Sequence, residues 1–190
     1  KIKSETKKEI HIAYRSLNND KKIVINQKKV NKISELIGQF QSVILSPEDV
    51  DIVSGGNAAK HTFVNKILSL TSPAYLNSLS RYKKALRQRN RAISETQPKK
   101  NISLWDEPLA KLSIQIWKER RLFFKVLNTL FFRLWQKAGP ETSCAINYLA
   151  NSFDTPDEMI ATMSAQINSD LFRKKTGLGP HKDVIEFKFN

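Results

Sequence analysis

A single cysteine, Cys144, stands in a chain of 190 residues. No internal disulfide can form, and no zinc site built on several cysteines can exist. A lone thiol of this kind reads as a small buried hydrophobe, and the shortage of cysteine points to a cytoplasmic setting. No run of about 18 apolar residues occurs, which argues against a transmembrane helix. No membrane partner is expected either, because the apolar face of the basic helix at 73–94 is taken up by the other long helices. The opening stretch KIKSETKKEIHIAYRS has no apolar core such as a secretory signal needs. It also has no initiator methionine, so a processed, excised or partial chain is expected. The pattern G-x-x-x-x-G-K-[ST] is absent, so nothing cradles nucleotide phosphates in the usual way. The three histidines, His11, His61 and His181, have no ligand spacing, and no metal site is expected. No Ser/His/Asp, Cys/His or paired-carboxylate constellation stands out, so an independent hydrolase is a poor reading.

Acid is scarce as well. The 18 Asp and Glu residues face 32 Lys and Arg, giving a net charge of 32 − 18 = +14. Such a chain suits phosphate-rich partners, because each neutralised phosphate releases counterions, and it equally suits an anionic membrane surface. A hydrophobic share of 40% is that of a globular protein with a proper core.

Two short alternating runs, EIHIAYR (9–15) and KKIVIN (21–26), predict a hairpin turning at Asn18-Asn19-Asp20. A short helix is expected at about 32–39 and a buried strand at SVILS, 42–46. From there the pattern turns helical to about 175. The first long helix, 73–94, opens on Pro73 and aligns Tyr75, Leu79, Tyr82, Leu86 and Ile93 on one face. The second begins near Ser103 or Asp106 and reaches Lys137, with Trp105 to Leu134 at near-heptad spacing. A third starts at TPDEM, where Thr155 caps, Pro156 takes the first turn and Glu158 closes a capping box; Gly177 ends it. DVIEFKFN at the end reads as a strand, ETQPKKN (95–101) and AGPETS (138–143) as loops, and SGGN (54–57) as a turn. The three tryptophans read as core. The fold class is therefore α+β, with a helical block inserted between strands.

The first long helix carries the strongest functional signal. Lys84, Arg87 and Arg91 lie within about 60° of one another opposite the apolar stripe. Arg81 extends this face, while Lys83 and Arg89 flank the core side. Between 75 and 100 the only acid is Glu95. A merely solvated helix usually mixes signs, since i,i+4 pairs of opposite charge stabilise it. Three readings stay open: a wet face without ligand, a phosphate-binding surface, and a dock for an acidic protein.

Four blocks carry a family resemblance, in order and over nearly the whole chain. LSPEDVDIVSGG (45–56), PAYLNSLSRYKKALRQRNRAI (73–93), LWDEPLAKL (104–112) and GLGPHKDVIEF (177–187) resemble motifs of the RecF family of bacterial DNA repair ATPases. The resemblance implies part of an ABC-type ATPase head related to SMC proteins, with a helical lobe inserted between strands of that head. It implies residues 1–60 as partial ATPase-lobe strands with the S-P-E-D segment, 61–176 as the helical lobe, and 177–190 as a strand returning to the ATPase lobe. It further implies ATP and Mg in the intact protein, ATP-dependent homodimerisation, and binding of single- and double-stranded DNA at gaps. RecO and RecR would be partners in loading RecA. Ser46, Glu48, Asp49, His181 and Asp183 would lie near nucleotide, and Arg81, Lys83, Lys84, Arg87, Arg89 and Arg91 would meet DNA.

The departures are specific. The phosphate loop, signature and Walker B motifs of the family are missing, so an internal fragment without ATPase activity of its own is expected. Lys60-His61 stand where the family has Arg-Arg, and Asn65 where it has Asp; a lysine lacks the bidentate fork of arginine. Lys182 replaces Arg, Val184 replaces the second Asp of the closing block, and Pro108 replaces Gln. The alternative is a non-enzymatic helical adaptor whose basic face docks an acidic protein.

Overall fold

The computed structural model describes residues 10–15, 20–30, 44, 46–95, 98–139 and 143–189. The chain divides into two compact units, 1–43 and 44–190. The boundary expected at 60/61 falls inside a helix.

The first unit holds β1 (Ile10–Arg15), β2 (Asp20–Ile25) and the two-residue β3 (Lys28–Lys29). All pair antiparallel in the order β1-β2-β3, with Ile10 opposite Ile25 and Arg15 opposite Asp20. The expected hairpin is present; of its turn, residues 18 and 19 lie outside the described residues, and Asp20 already belongs to β2. A second turn, not foreseen, sits at Asn26-Gln27, where φ is 47° and 68°. Two left-handed residues in a two-residue hairpin give the twist that flanking strands need. The predicted helix at 32–39 lies outside the described residues. So do 42, 43 and 45 of the expected strand, while Ile44 is in no strand and is 79% exposed.

The second unit begins with a 3-10 turn, Pro47–Val50, and the short α1, Asp51–Ser54. Then come α2 (Asn57–Thr71), α3 (Pro73–Ser94), α4 (Lys99–Ser103) and α5 (Asp106–Ala138). The next elements are β4 (Cys144–Leu149), α6 (Pro156–Ala165), α7 (Ile167–Arg173) and β5 (Val184–Phe189). Both long helices lie where the sequence placed them. Ser72 caps α3 by accepting from the Tyr75 amide, and Gly139, at φ 84°, closes α5 in the left-handed conformation that glycine adopts freely.

α3 and α5 run antiparallel and form the centre. Their register is fixed by polar contacts from one end to the other: Tyr75 with Arg120, Ser78 with Gln115, Arg89 with Asp106. Tyr75, Leu79, Tyr82 and Ala85 of α3 meet Leu109, Leu112, Ile116, Trp117 and Phe124 of α5 in one core. Val64 and Leu68 of α2, Met159 and Met163 of α6, and Ile146 and Ile185 of the sheet complete it.

Two expectations need correction. The third long helix is broken at Gln166 and ends at Arg173, with Lys174 in the left-handed conformation at its cap; Gly177 is not the stop. α6 packs its methionines on α5 while α7 turns Asp170 toward α3, and no straight helix does both. Second, the supposedly helical stretch contains β4, which pairs antiparallel with β5, Cys144 opposite Phe189 and Leu149 opposite Val184. Cys144 and Ile146 point inward at period two, a strand signal present in the sequence. The expected loop 95–101 is also shorter, since Lys99 already begins α4.

The outer edge of β4 is covered by α5. The Asn128 side chain donates to the Ile146 carbonyl at 2.8 Å and accepts from its amide at 3.0 Å. An unpaired strand edge is thereby closed. Asn128→Ala leaves both backbone groups without these partners, so we expect a loss of about 1–3 kcal/mol in urea denaturation.

Candidate nucleic-acid interface and the polar core beneath it

Every third or fourth residue of α3 is buried, which leaves the intervening cations outside. Arg81, Lys83, Lys84, Arg87 and Arg91 are exposed. Among them Arg91 has an acidic neighbour, Glu95, whose carboxylate accepts from its Nε at 2.7 Å one turn on. Such a surface pair is worth little.

Arg89 does not belong to this surface. Its exposure is 0%, and its guanidinium is held inside the protein through Nε and Nη1, while Nη2 has no hydrogen-bond partner among the described residues. Nε donates to Asp106 at 2.8 Å, and Nη1 donates to Asp170 at 2.6 Å and to the Thr176 hydroxyl at 2.9 Å. Burial pushes the Asp106 carboxyl up from its ordinary value, and the arginine opposes that shift. Beside this centre, Asn90 holds the Thr176 amide and hydroxyl, and Asp170 accepts from the Gly177 amide. The loop that opens the GLGPHKD block is thus anchored to α3 and α7.

A second buried arginine anchors the other end of that loop. Arg120 donates through Nη1 to Asp183 at 2.8 Å and to the Pro180 carbonyl at 2.7 Å. Its Nε reaches the Tyr75 hydroxyl at 3.1 Å, and Nη2 reaches Asn65 at 3.0 Å. Asp183 is 3% exposed and also accepts from the Trp117 indole and the Tyr148 hydroxyl. Burial pushes its carboxyl up, and the Tyr148, Trp117 and Arg120 donors pull it back. The Asp183 carbonyl accepts from Asn57 at 2.5 Å and faces His61 Nε2 at 2.9 Å. A carbonyl only accepts, so His61 carries its proton on Nε2.

His181 is fixed by the same reasoning. Nε2 faces the Thr176 carbonyl at 3.1 Å and must be protonated, so Nδ1 accepts from the Tyr82 hydroxyl at 2.6 Å. Burial pushes its pKa down to about 4. Gly179, at φ 132°, lies so close to Tyr82 that a Cβ would stand 2.5 Å from the hydroxyl.

The predicted nucleotide-proximal residues therefore differ among themselves. Asp183 and His181 are on a loop rather than a strand, do not bond each other, and are engaged with core side chains. Ser46, Glu48 and Asp49 form the 3-10 turn, where the Ser46 amide donates to Asp49 at 2.8 Å and Glu48 stays exposed. Among the described residues no hydrogen bond or ion pair joins this turn to His181 or Asp183. His61 and Asn65, which stand at the family's Arg and Asp positions, both point into the Asp183–Arg120 network. Lys60 lies over the Phe187 ring, 5.8 Å from its centroid. No group of three or more His, Cys, Asp or Glu could hold a metal among the described residues, and no helix there is long and apolar enough to cross a membrane.

Sequence reading missed Arg120, Trp117, Tyr148 and Asp170 as network members. For Arg120 the signal existed: it occupies the apolar stripe of α5 between Ile116 and Phe123, where a charge must find a buried partner.

The second unit is thus a helical lobe closed by a two-stranded sheet, organised on two buried arginine centres and presenting one basic helix face. The same lobe occurs in known proteins. A solved structure of the recombination mediator protein RecF-ATPrS in the RecFOR pathway matches at TM-score 0.86 and 23% identity, over 96% of this chain and 52% of that one. A RecF-ATP structure gives 0.84 at 24% identity. At that identity the likeness establishes the fold. The DNA replication and repair protein RecF of Chlorobium phaeobacteroides (strain BS1) is 30% identical over 187 residues, 91% of this chain and 51% of its own length. That of Acetivibrio thermocellus is 32% identical over 201 residues, 98% of this chain and 54% of its own. No protein-family model matches the chain. The chain belongs to the RecF family, and it spans about half the length of the curated relatives it matches.

Two outcomes follow from the network. Asp183→Ala strands the buried Arg120 charge, so unfolding free energy should fall by about 3–5 kcal/mol in chemical denaturation. For His181 the folded pKa lies below the ordinary value of 6.5, so the unfolded chain binds the extra proton between about pH 6.5 and 4. Its contribution is present above pH 6.5 and is lost as pH falls toward 4, by roughly 3 kcal/mol. Denaturation curves at pH 7 and pH 4 should show this loss, and His181→Gln should flatten it.

Proposed function

We propose that this chain supplies the DNA-contacting helical lobe of a RecF-type replication and repair ATPase. The observation that carries the reading is the outer face of α3, where Arg81, Lys83, Lys84, Arg87 and Arg91 are all exposed against Glu95 alone. Phosphate contacts of this kind hold a duplex or a single strand without reading bases, as a repair factor at gaps requires. In the intact protein ATP and Mg would drive homodimerisation around DNA, and RecO and RecR would join it in loading RecA. All of this would take place in the cytoplasm.

Within that reading the nucleotide-proximal set divides by exposure. The Ser46–Asp49 turn offers carboxylates at the surface, where Glu48 and Asp49 could approach a hard cation. His181 and Asp183 would instead position the Gly177–Lys182 loop and leave Lys182 free to meet phosphate. No catalysis is assigned to the chain by itself.

The test is binding to short duplex and gapped DNA over a salt series. With about four phosphate contacts, log K should fall against log salt with a slope of about −3 to −4. Lys84→Glu/Arg87→Glu/Arg91→Glu should reduce affinity at least tenfold while unfolding stays unchanged. Equal binding by wild type and variant would instead favour the acidic-protein dock.

A further inference from the structure

α5 outruns the helix it packs on. The contacts Tyr75–Arg120, Ser78–Gln115 and Arg89–Asp106 set a register in which Pro73, the start of α3, falls opposite residue 122. At about 1.5 Å per residue, the 33-residue α5 is some 50 Å long and the 22-residue α3 some 33 Å. Leu122 still lines a groove with Ala74 and Ser78, and beyond it α5 has no α3 beside it.

The apolar seam nevertheless continues. Leu122, Val126, Leu130 and Leu134 recur every fourth residue, and each is more than half exposed. Each step of four turns by about 40°, so the four span about 120° and begin on the side where Gln115 meets Ser78 of α3. The neighbouring side is already taken by the sheet: Phe124 stacks on Tyr148, Asn128 holds Ile146, and Phe131 and Trp135 meet Phe187 and Phe189. What is left open is the seat of one more helix, in line with α3.

Charge selects the occupant. Between 118 and 138 the sequence has six Lys and Arg and one acid, Glu119. Lys118, Arg121 and Lys125 border the stripe, and Arg133 and Lys137 lie among its last residues; all five are exposed. A second copy would bring the same cations face to face, in a chain already at +14. We infer that the exposed seam of α5 docks an acidic amphipathic helix of a partner protein, as an apolar face laid into a groove with carboxylates on its margins. This site adjoins the DNA face, since Arg81, Lys118 and Leu122 line one groove, but the inference does not depend on DNA binding.

The probe is a synthetic 18-residue helical peptide with leucine on one face and glutamate on its margins, titrated by fluorescence anisotropy into the full 190-residue chain. A lysine-margined version is the control. The glutamate peptide should bind at least tenfold more tightly than the lysine one. Val126→Ser/Leu130→Ser, which removes apolar surface but no charge, should weaken it at least fivefold, and Leu122→Ser/Leu134→Ser should do the same. Circular dichroism of both variants should match wild type, since all four side chains are exposed. Equal binding by wild type and variants overturns the proposal. So does a wild-type dimer that either variant dissociates, or capture by anionic vesicles that either variant abolishes. Protection of Leu130 from hydroxyl-radical labelling in a longer natural form of the protein, without peptide, would also overturn it.

Discussion

The contact on which the second unit depends is the buried pair of Arg120 and Asp183. Removing two charges from water costs several kcal/mol per ion, and their attraction offsets this only where the remaining donors and lone pairs are also satisfied. Here they are satisfied by side chains from α2, α3, α5 and β4 and by the Pro180 carbonyl. Asn65 comes from α2, Tyr75 from α3, Trp117 from α5 and Tyr148 from β4, while Asn57 and His61 of α2 hold the main-chain carbonyl of Asp183, which leads into β5. The pair is less a source of stability than a geometric condition. The helices and the sheet can close only in the arrangement that brings all these partners to one place.

The second centre explains how α3 tolerates its own charge. Arg89 is answered by two carboxylates, Asp106 and Asp170, so this buried group is net negative when both are ionised. It lies directly beneath the exposed cations of the same helix. Arg91 also sits in the last turn of α3, where the helix dipole favours positive charge. Two background terms thus offset part of the repulsion among outward cations. One helix carries two kinds of arginine: the inward one holds the fold, and the outward ones remain available to an anion.

Legibility in the sequence followed period and length. α3 and α5 were readable to within a residue or two because each keeps one apolar stripe over many turns and has a distinct cap or stop. β5 was readable by alternation. β4 alternates too, but six residues between helical segments were outweighed by their surroundings, and its pairing with β5, about 40 residues away, is a long-range fact. The break at Gln166 is tertiary in the same sense: it answers to Asp170 reaching Arg89, not to a local breaker. At the site, the cations that sequence assigned to the surface are there except Arg89, whose place beside the apolar stripe was itself the warning. A wheel gives the angle of a side chain but not the carboxylate that meets it.

That distinction extends to the far end of α5. Near-heptad spacing continues through Leu127, Leu130 and Leu134 as though a partner helix ran alongside to the end. Pattern alone cannot tell which leucines are covered. Leu127 is half-buried because it faces Phe63 and Val64 of α2 and Phe187 of the sheet, whereas Leu130 and Leu134 are exposed on a side that α3 is too short to reach. A sequence keeps a hydrophobic seam only where something apolar meets it, since exposed leucines invite aggregation. Among the described residues of the second unit nothing covers this seam, which is the surface the inferred partner helix would take. The cations along it say that whatever makes the contact brings negative charge.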